Sequence, residues 1–216
     1  MIDDSAKRQD YDSLSREYAD PTSLQYKKLR LVDSYITGGK NLLDFGTGTG
    51  ELIKLEEKKF DNIYGIDSDE ESVRICRTRF ENDERIHIVK NNANNITGTF
   101  AGIRFDCISA CDVLEHLKFR DCLKLLDSFY SLLDTDGIFI FTGPGVFEKM
   151  KIKLGRSPTH VHSHSSYGWA RLITKAGFGL ISVESVQFPL IQSSILRKRL
   201  HVLGQCCVIT ASKGRS

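Results

Sequence analysis

Nine consecutive residues, Leu42-Leu43-Asp44-Phe45-Gly46-Thr47-Gly48-Thr49-Gly50, narrow the fold more than any other part of this chain. Two aliphatic residues lead into Asp44 as a buried strand would, and glycines at alternate positions then open a helix. Glycine supplies positive φ and lets a backbone approach a ligand with no Cβ in the way. Strand, glycine turn and helix in that order make the first unit of an α/β sheet. On its own the loop also reads as a tight turn between strand and helix. If it holds a ligand, charge bounds the choice. A dinucleotide fingerprint has a third glycine where this chain has Glu51, and a pyrophosphate would face carboxylates at Asp44 and Glu51. A cationic ligand meets no such repulsion.

The rest of the chain continues the alternation. Strands are predicted at 41–45, 63–67, 85–90, 105–111, 138–141, 180–186 and 206–211. Helices are predicted from Asp20-Pro21 to Tyr35, from Gly50 to Lys59, from Asp69 to Arg79 with Ser68 as its cap, from Phe119 to Leu133 and from Tyr167 to Ala176. Helical periodicity at residues 5–19 places Tyr11, Leu14 and Tyr18 on one side. The expected fold is α/β: a Rossmann-like, doubly wound, mainly parallel seven-stranded sheet with an antiparallel edge strand and N-terminal helices. At 216 residues the chain is read as one compact unit. Within it, 1–39 forms an N-terminal helical lid and 40–216 the ligand-binding domain.

Composition excludes several classes. No apolar run approaches the ~20 residues of a membrane span, and Met1-Ile2-Asp3-Asp4 lacks the features of a signal peptide. The six cysteines include no C-x-x-C pair, so buried free thiols in a reducing, cytoplasmic setting are expected. From Lys149 onward the only acid is Glu184, against eleven Lys and Arg. That asymmetry suits an acidic partner or a solvated basic face. Residues 190–203 read as a short amphipathic helix that covers the core or makes peripheral contact with an anionic membrane.

Ligands of open α/β sheets sit beyond the carboxyl ends of the strands. Asp44 with Gly46, Thr47, Gly48 and Gly50 ends the first predicted strand. Asp67, followed by Ser68, ends the second, where an acid can accept both hydroxyls of a ribose. Asn92-Ala93 follows the third, where an amide and backbone can read an adenine edge, and Cys111 ends the fourth.

The D-x-G-x-G-x-G spacing of Asp44 to Gly50 resembles the first motif of class I S-adenosylmethionine-dependent methyltransferases. The likeness extends through Tyr64-Gly65-Ile66-Asp67-Ser68, the segment Phe105 to Leu117, Leu133-Asp134-Thr135-Asp136-Gly137 leading to Gly143-Pro144, and Lys175-Ala176-Gly177-Phe178. It covers about residues 40–145 and, more weakly, residues up to 186. It implies S-adenosyl-L-methionine as cofactor, with Asp44, Gly46, Thr47, Gly48, Gly50, Asp67, Ser68, Asn92, Ala93 and Cys111 around it. Many relatives have Asp where this chain has Asn92; an amide still accepts from the adenine amino group.

Methyl transfer from a sulfonium is an in-line displacement that needs positioning, exclusion of water and sometimes removal of a proton. Asp112, Glu115 and His116, at i, i+3 and i+4, are expected to face one way from a helical turn, with His116 as candidate base. In the similar segment of ubiquinone-biosynthesis O-methyltransferases the matching residues can bind a divalent metal; here no metal is assigned. His160, His162 and His164 alternate and would point one way in an extended segment; they read as a zinc set, as a solvated loop, or, for His160 and His162, as contacts to the acceptor. The reading is methyl transfer to an oxygen or nitrogen of a small, anionic acceptor. The alternatives are an RNA methyltransferase and a non-catalytic cofactor-binding protein. Nucleic acid is disfavoured because no Asn/Asp-Pro-Pro-aromatic motif follows the fourth strand. Oligomeric state is not readable from the sequence.

Overall fold

The structure, a computed structural model, describes residues 11, 13, 15–91, 95–145, 164–186 and 206–213. The segment at 190–203 lies outside them. Seven strands form one sheet: β1 (Gly39–Phe45), β2 (Phe60–Asp67), β3 (Ile86–Lys90), β4 (Phe105–Cys111), β5 (Leu133–Pro144), β6 (Phe178–Val186) and β7 (Cys206–Lys213). Their order is β3-β2-β1-β4-β5-β7-β6. The first five are parallel, whereas β7 runs antiparallel to both neighbours. The antiparallel strand is thus set one place in from the edge, and β6 takes the rim.

Alternate residues of each strand feed opposite faces of the sheet. Leu43, Phe45, Ile108, Ala110, Phe139, Phe141 and Ile209 join one core cluster. It takes in the buried sides of α4 (Phe119–Leu132) and α5 (Ser166–Lys175). Leu42, Cys107, Ile140 and Val208 join the other, with α1 (Leu24–Asp33), α2 (Glu51–Glu56) and α3 (Glu70–Arg79). The register pairs Leu42 with Cys107 and Leu43 with Ile108, so neighbouring strands present the same face together. Trp169 of α5 is fully buried against Phe141, with ring centroids 4.7 Å apart.

Two helices begin later than the sequence suggests. Asp20 does not cap a helix; its carboxylate accepts from the backbone N and hydroxyl of Thr22 and closes a local turn. Ser23 caps α1 instead, its Oγ accepting from Tyr26 N at 3.0 Å. Asp69, not Ser68, caps α3, accepting from Ser72 N at 2.8 Å. In each case a carboxylate or hydroxyl three residues ahead of the bonded N–H has the reach a cap needs. Glu184, the lone acid of the basic half, is buried and receives the hydroxyl of Tyr35, which ties the segment after α1 to β6.

Candidate cofactor site

The strand order reverses between β1 and β4, and this switch point opens a crevice at their carboxyl ends. The glycine loop leaves β1 there. Backbone N–H groups of Gly46 and Thr47 donate to Ile66 O at 2.8 and 3.0 Å, folding the loop against the end of β2. Gly46, Gly48 and Gly50 all have positive φ, at 79°, 52° and 86°. At Gly50 a Cβ would come within 2.6 Å of the Phe80 ring and 2.8 Å of Cys76 Sγ, so this glycine is needed for packing against α3. At Gly48 a Cβ would meet nothing within 4 Å. That open side is the face a ligand would cover.

Two carboxylates flank the loop. Asp44 is 3% exposed and accepts from Ser109 Oγ at 2.7 Å and Thr47 Oγ1 at 2.9 Å. Burial pushes its pKa up to about 6; the two hydroxyls oppose that rise and the Asp67 carboxylate adds to it. Asp67 is half-buried and accepts from Gly48 N and Asp69 N, each at 2.9 Å. The loop is therefore pinned between two acids, and Ser68 stands exposed beside them.

A cavity of about 260 Å³ opens against this loop, lined by Tyr18, Gln25, Asp44, Gly48, Cys111 and Asp112 among others. Residues 15–19 are helical and bring Tyr18 to its rim. Tyr11 of the same N-terminal segment donates to Asp69 Oδ2 at 2.6 Å. Glu51, first residue of α2, is ion-paired with Arg79 at 2.7 Å and receives Ser15 Oγ at 3.3 Å. It stands where a dinucleotide site has glycine, and Arg79 balances its charge at the rim.

Beyond β4 the chain turns sharply. Asp112 has φ 54° and its carboxylate accepts from Thr142 Oγ1 at 2.9 Å and pairs with Lys28 of α1, which is 5% exposed. Burial draws the Lys28 pKa below its usual value. A short 3₁₀ turn, Leu114–His116, follows. Because Asp112 sits outside that turn, the trio does not share one face: Asp112 meets Lys28, Glu115 is buried and His116 is exposed. Asn92, Ala93, His160 and His162 lie outside the described residues. Among the described residues no group of three or more His, Cys, Asp or Glu is arranged to hold a metal.

Sequence reasoning passes over Ser109, Gln25, Lys28 and Thr142. A lone serine in the apolar run Cys107-Ile108-Ser109-Ala110-Cys111, in register with Asp44, is the signal for the first. Gln25 and Lys28 look like ordinary helix surface.

Both charge and shape suit a cationic nucleoside: acids at two strand ends, an uncovered glycine and a cavity lined by Asp44 and that glycine. A family model described as a methyltransferase domain matches residues 16–183. The chain belongs to that family, the class I S-adenosylmethionine-dependent group, and S-adenosylmethionine is its cofactor. The chain is 32% identical over 109 residues to the ubiquinone biosynthesis O-methyltransferase of Actinobacillus pleuropneumoniae serotype 7, covering 48% of this chain and 45% of that protein. It is 29% identical over 118 residues to the ribosomal protein L11 methyltransferase of Dictyoglomus turgidum, covering 53% and 36%. The fold superimposes on N-methyltransferase NodS of Bradyrhizobium japonicum, solved with S-adenosyl-L-homocysteine, at a TM-score of 0.68 and 15% identity, covering 94% and 97%. The chain spans 40–65% of the length of the first curated relatives it matches.

Proposed function

We propose that this protein transfers the methyl group of S-adenosylmethionine to an oxygen or nitrogen of a small, anionic acceptor. The observation that carries the reading is the pair Asp44 and Asp67 on either side of an uncovered Gly48. Asp67 would accept the ribose hydroxyls, as it already accepts two backbone N–H groups. Asp44 would set negative charge near the positive end, and Ser68, Asn92, Ala93 and Cys111 would complete the walls. The cofactor supplies a methyl group on a good leaving group. What remains for the chain is to orient the acceptor, exclude water and, where the acceptor is protonated, take up its proton. His116, on the turn after β4, is the candidate for the last task, and His160 and His162 for contact with the acceptor.

The N-terminal segment, residues 1–39, acts in this reading as a lid over the 40–216 domain; Tyr11, Ser15 and Tyr18 reaching the rim support it. A reducing, cytoplasmic location fits the six free thiols, five of them buried. Among the described residues no helix is long and apolar enough to cross a membrane.

Calorimetry with S-adenosylmethionine and NAD side by side tests the cofactor. The expected result is binding of the first alone, with Asp67→Ala weakening it by about 10–100-fold, since hydrogen bonds to a charged group contribute about 1.5–3 kcal/mol. Equal affinity in the variant would remove the reading. Transfer of label from methyl-tritiated cofactor into anionic metabolite fractions tests the acceptor class, and label in protein or RNA alone would reject it.

A further inference from the structure

A second cavity, of about 570 Å³, lies beside the cofactor site, on the side of α3. Tyr18, Thr49 and Glu51 line both spaces, whereas Asp44, Cys111 and Asp112 line the first alone. The second is bounded instead by residues 15–19 and by Arg74, Ile75, Thr78 and Arg79 of α3, and most of its lining is apolar.

The ionic groups around it are unequally engaged. Glu51 pairs with Arg79 at 2.7 Å and also receives Ser15 Oγ at 3.3 Å. Arg79 in turn donates to Thr49 O at 3.1 Å. A cation entering here would have to displace Arg79. Arg74 is placed differently. Its side chain is 53% exposed, and Glu71, which does not line the cavity, takes only its Nε and Nη2, at 2.8 and 2.6 Å. Among the described residues its Nη1 has no hydrogen-bond partner. The same holds for the hydroxyl of Thr78, one helical turn on, and for that of Thr49, a residue only 7% exposed.

A guanidinium with a spare N–H and two hydroxyls thus border an apolar space formed by Ala19, Ile75 and the ring of Tyr18. A carboxylate, sulfonate or phosphate accepts from all three donors, and charge assistance strengthens the bond to arginine. A hydrocarbon or ring attached to that anion would cover the apolar lining. We propose that the cavity between residues 15–19 and α3 binds a small organic anion with an apolar body, at a site separate from that of the cofactor. Binding there does not require the cofactor reading to hold.

The probe is 8-anilinonaphthalene-1-sulfonate, an aromatic body carrying one anion, titrated by fluorescence with and without saturating S-adenosylhomocysteine. One equivalent should bind in both cases. Thr78→Trp fills the space from an exposed position of α3 and should weaken the probe by about 10-fold or more. Arg74→Gln, also at an exposed position, should weaken it by about 3- to 10-fold through loss of a charge-assisted hydrogen bond. N-phenyl-1-naphthylamine, the same rings without the sulfonate, should bind the parent about 10-fold more weakly than the anion. S-adenosylhomocysteine should bind both variants within about two-fold of the parent. Equal probe affinity in the parent and both variants, displacement of the probe by S-adenosylhomocysteine, or equal affinity for the uncharged rings overturns the proposal. A parent protein that ignores S-adenosylhomocysteine would defeat the cofactor reading instead, and the variants would still decide this site.

Discussion

Asp44 shows how one residue's surroundings set the working range of the site. It is buried and sits near a second carboxylate, so its acid stays protonated up to about pH 6. A cationic ligand favours the ionised form. Affinity for S-adenosylmethionine should therefore rise as pH increases through about 6 and level off above it, measured by titration calorimetry between pH 5 and 7. Ser109→Ala removes a hydrogen bond to the ionised carboxylate, so the midpoint should move upward. A flat profile would show that the Asp44 proton and the ligand do not compete. The acid and its glycines are legible in the sequence because strand, turn and helix leave a fixed spacing. The serine that holds the acid is not, since its role depends on strand register, which the sequence of β1 alone does not display.

Among the elements, the N-terminal segment and α1 reach the cavity with the least sequence signal. Helical periodicity reveals both, yet their starts depend on whether a given side chain reaches a given N–H. Asp20 satisfies Thr22 and Asp69 takes the cap predicted for Ser68, a competition between neighbouring residues that composition does not resolve. The trio at 112–116 fails to converge for a related reason: a positive-φ residue breaks the helical phase on which the spacing argument depends. The segment that includes residues 15–19 touches the rest of the site through Tyr11–Asp69 and Ser15–Glu51. If it is a lid, amide hydrogen exchange there should slow by about 10-fold or more when S-adenosylhomocysteine binds. Tyr11→Phe should lose part of that protection while exchange in β1 and β4 stays unchanged. Equal protection with and without ligand would make the segment a fixed wall.

Across the whole molecule, the doubly wound sheet is the most legible feature, because alternating periodicities report which face each residue serves. The insertion of β7 inside β6 is less so, since antiparallel pairing partners leave no local mark. Another charged cluster lies where α2 gives way to β2. Glu56 is fully buried, with Lys59 3.0 Å away, and Lys59 also donates to Asp33 at 2.6 Å. Burial pushes Glu56 up to about 7; Lys59 opposes the shift and Asp33 adds to it. A carboxyl group whose folded pKa is raised stabilises the fold fully below its unfolded value. That contribution disappears as pH rises through about 7. Thermal stability of Glu56→Gln, which cannot ionise, should therefore fall less than the parent's between pH 5 and 8. Parallel Tm curves for the two proteins would contradict this.

The acid at the end of β1 has one further consequence. In the proposed reading positive charge near Asp44 departs with the methyl group, and its carboxyl then takes up hydrogen ion more readily. Near pH 6 the spent complex would then hold part of a proton that the donor complex lacks. Transfer to an O–H or N–H acceptor releases one hydrogen ion, so near pH 6 an indicator dye should show that release blunted until the site reloads. Well above pH 6 Asp44 stays ionised in both complexes, and the release should then be seen in full.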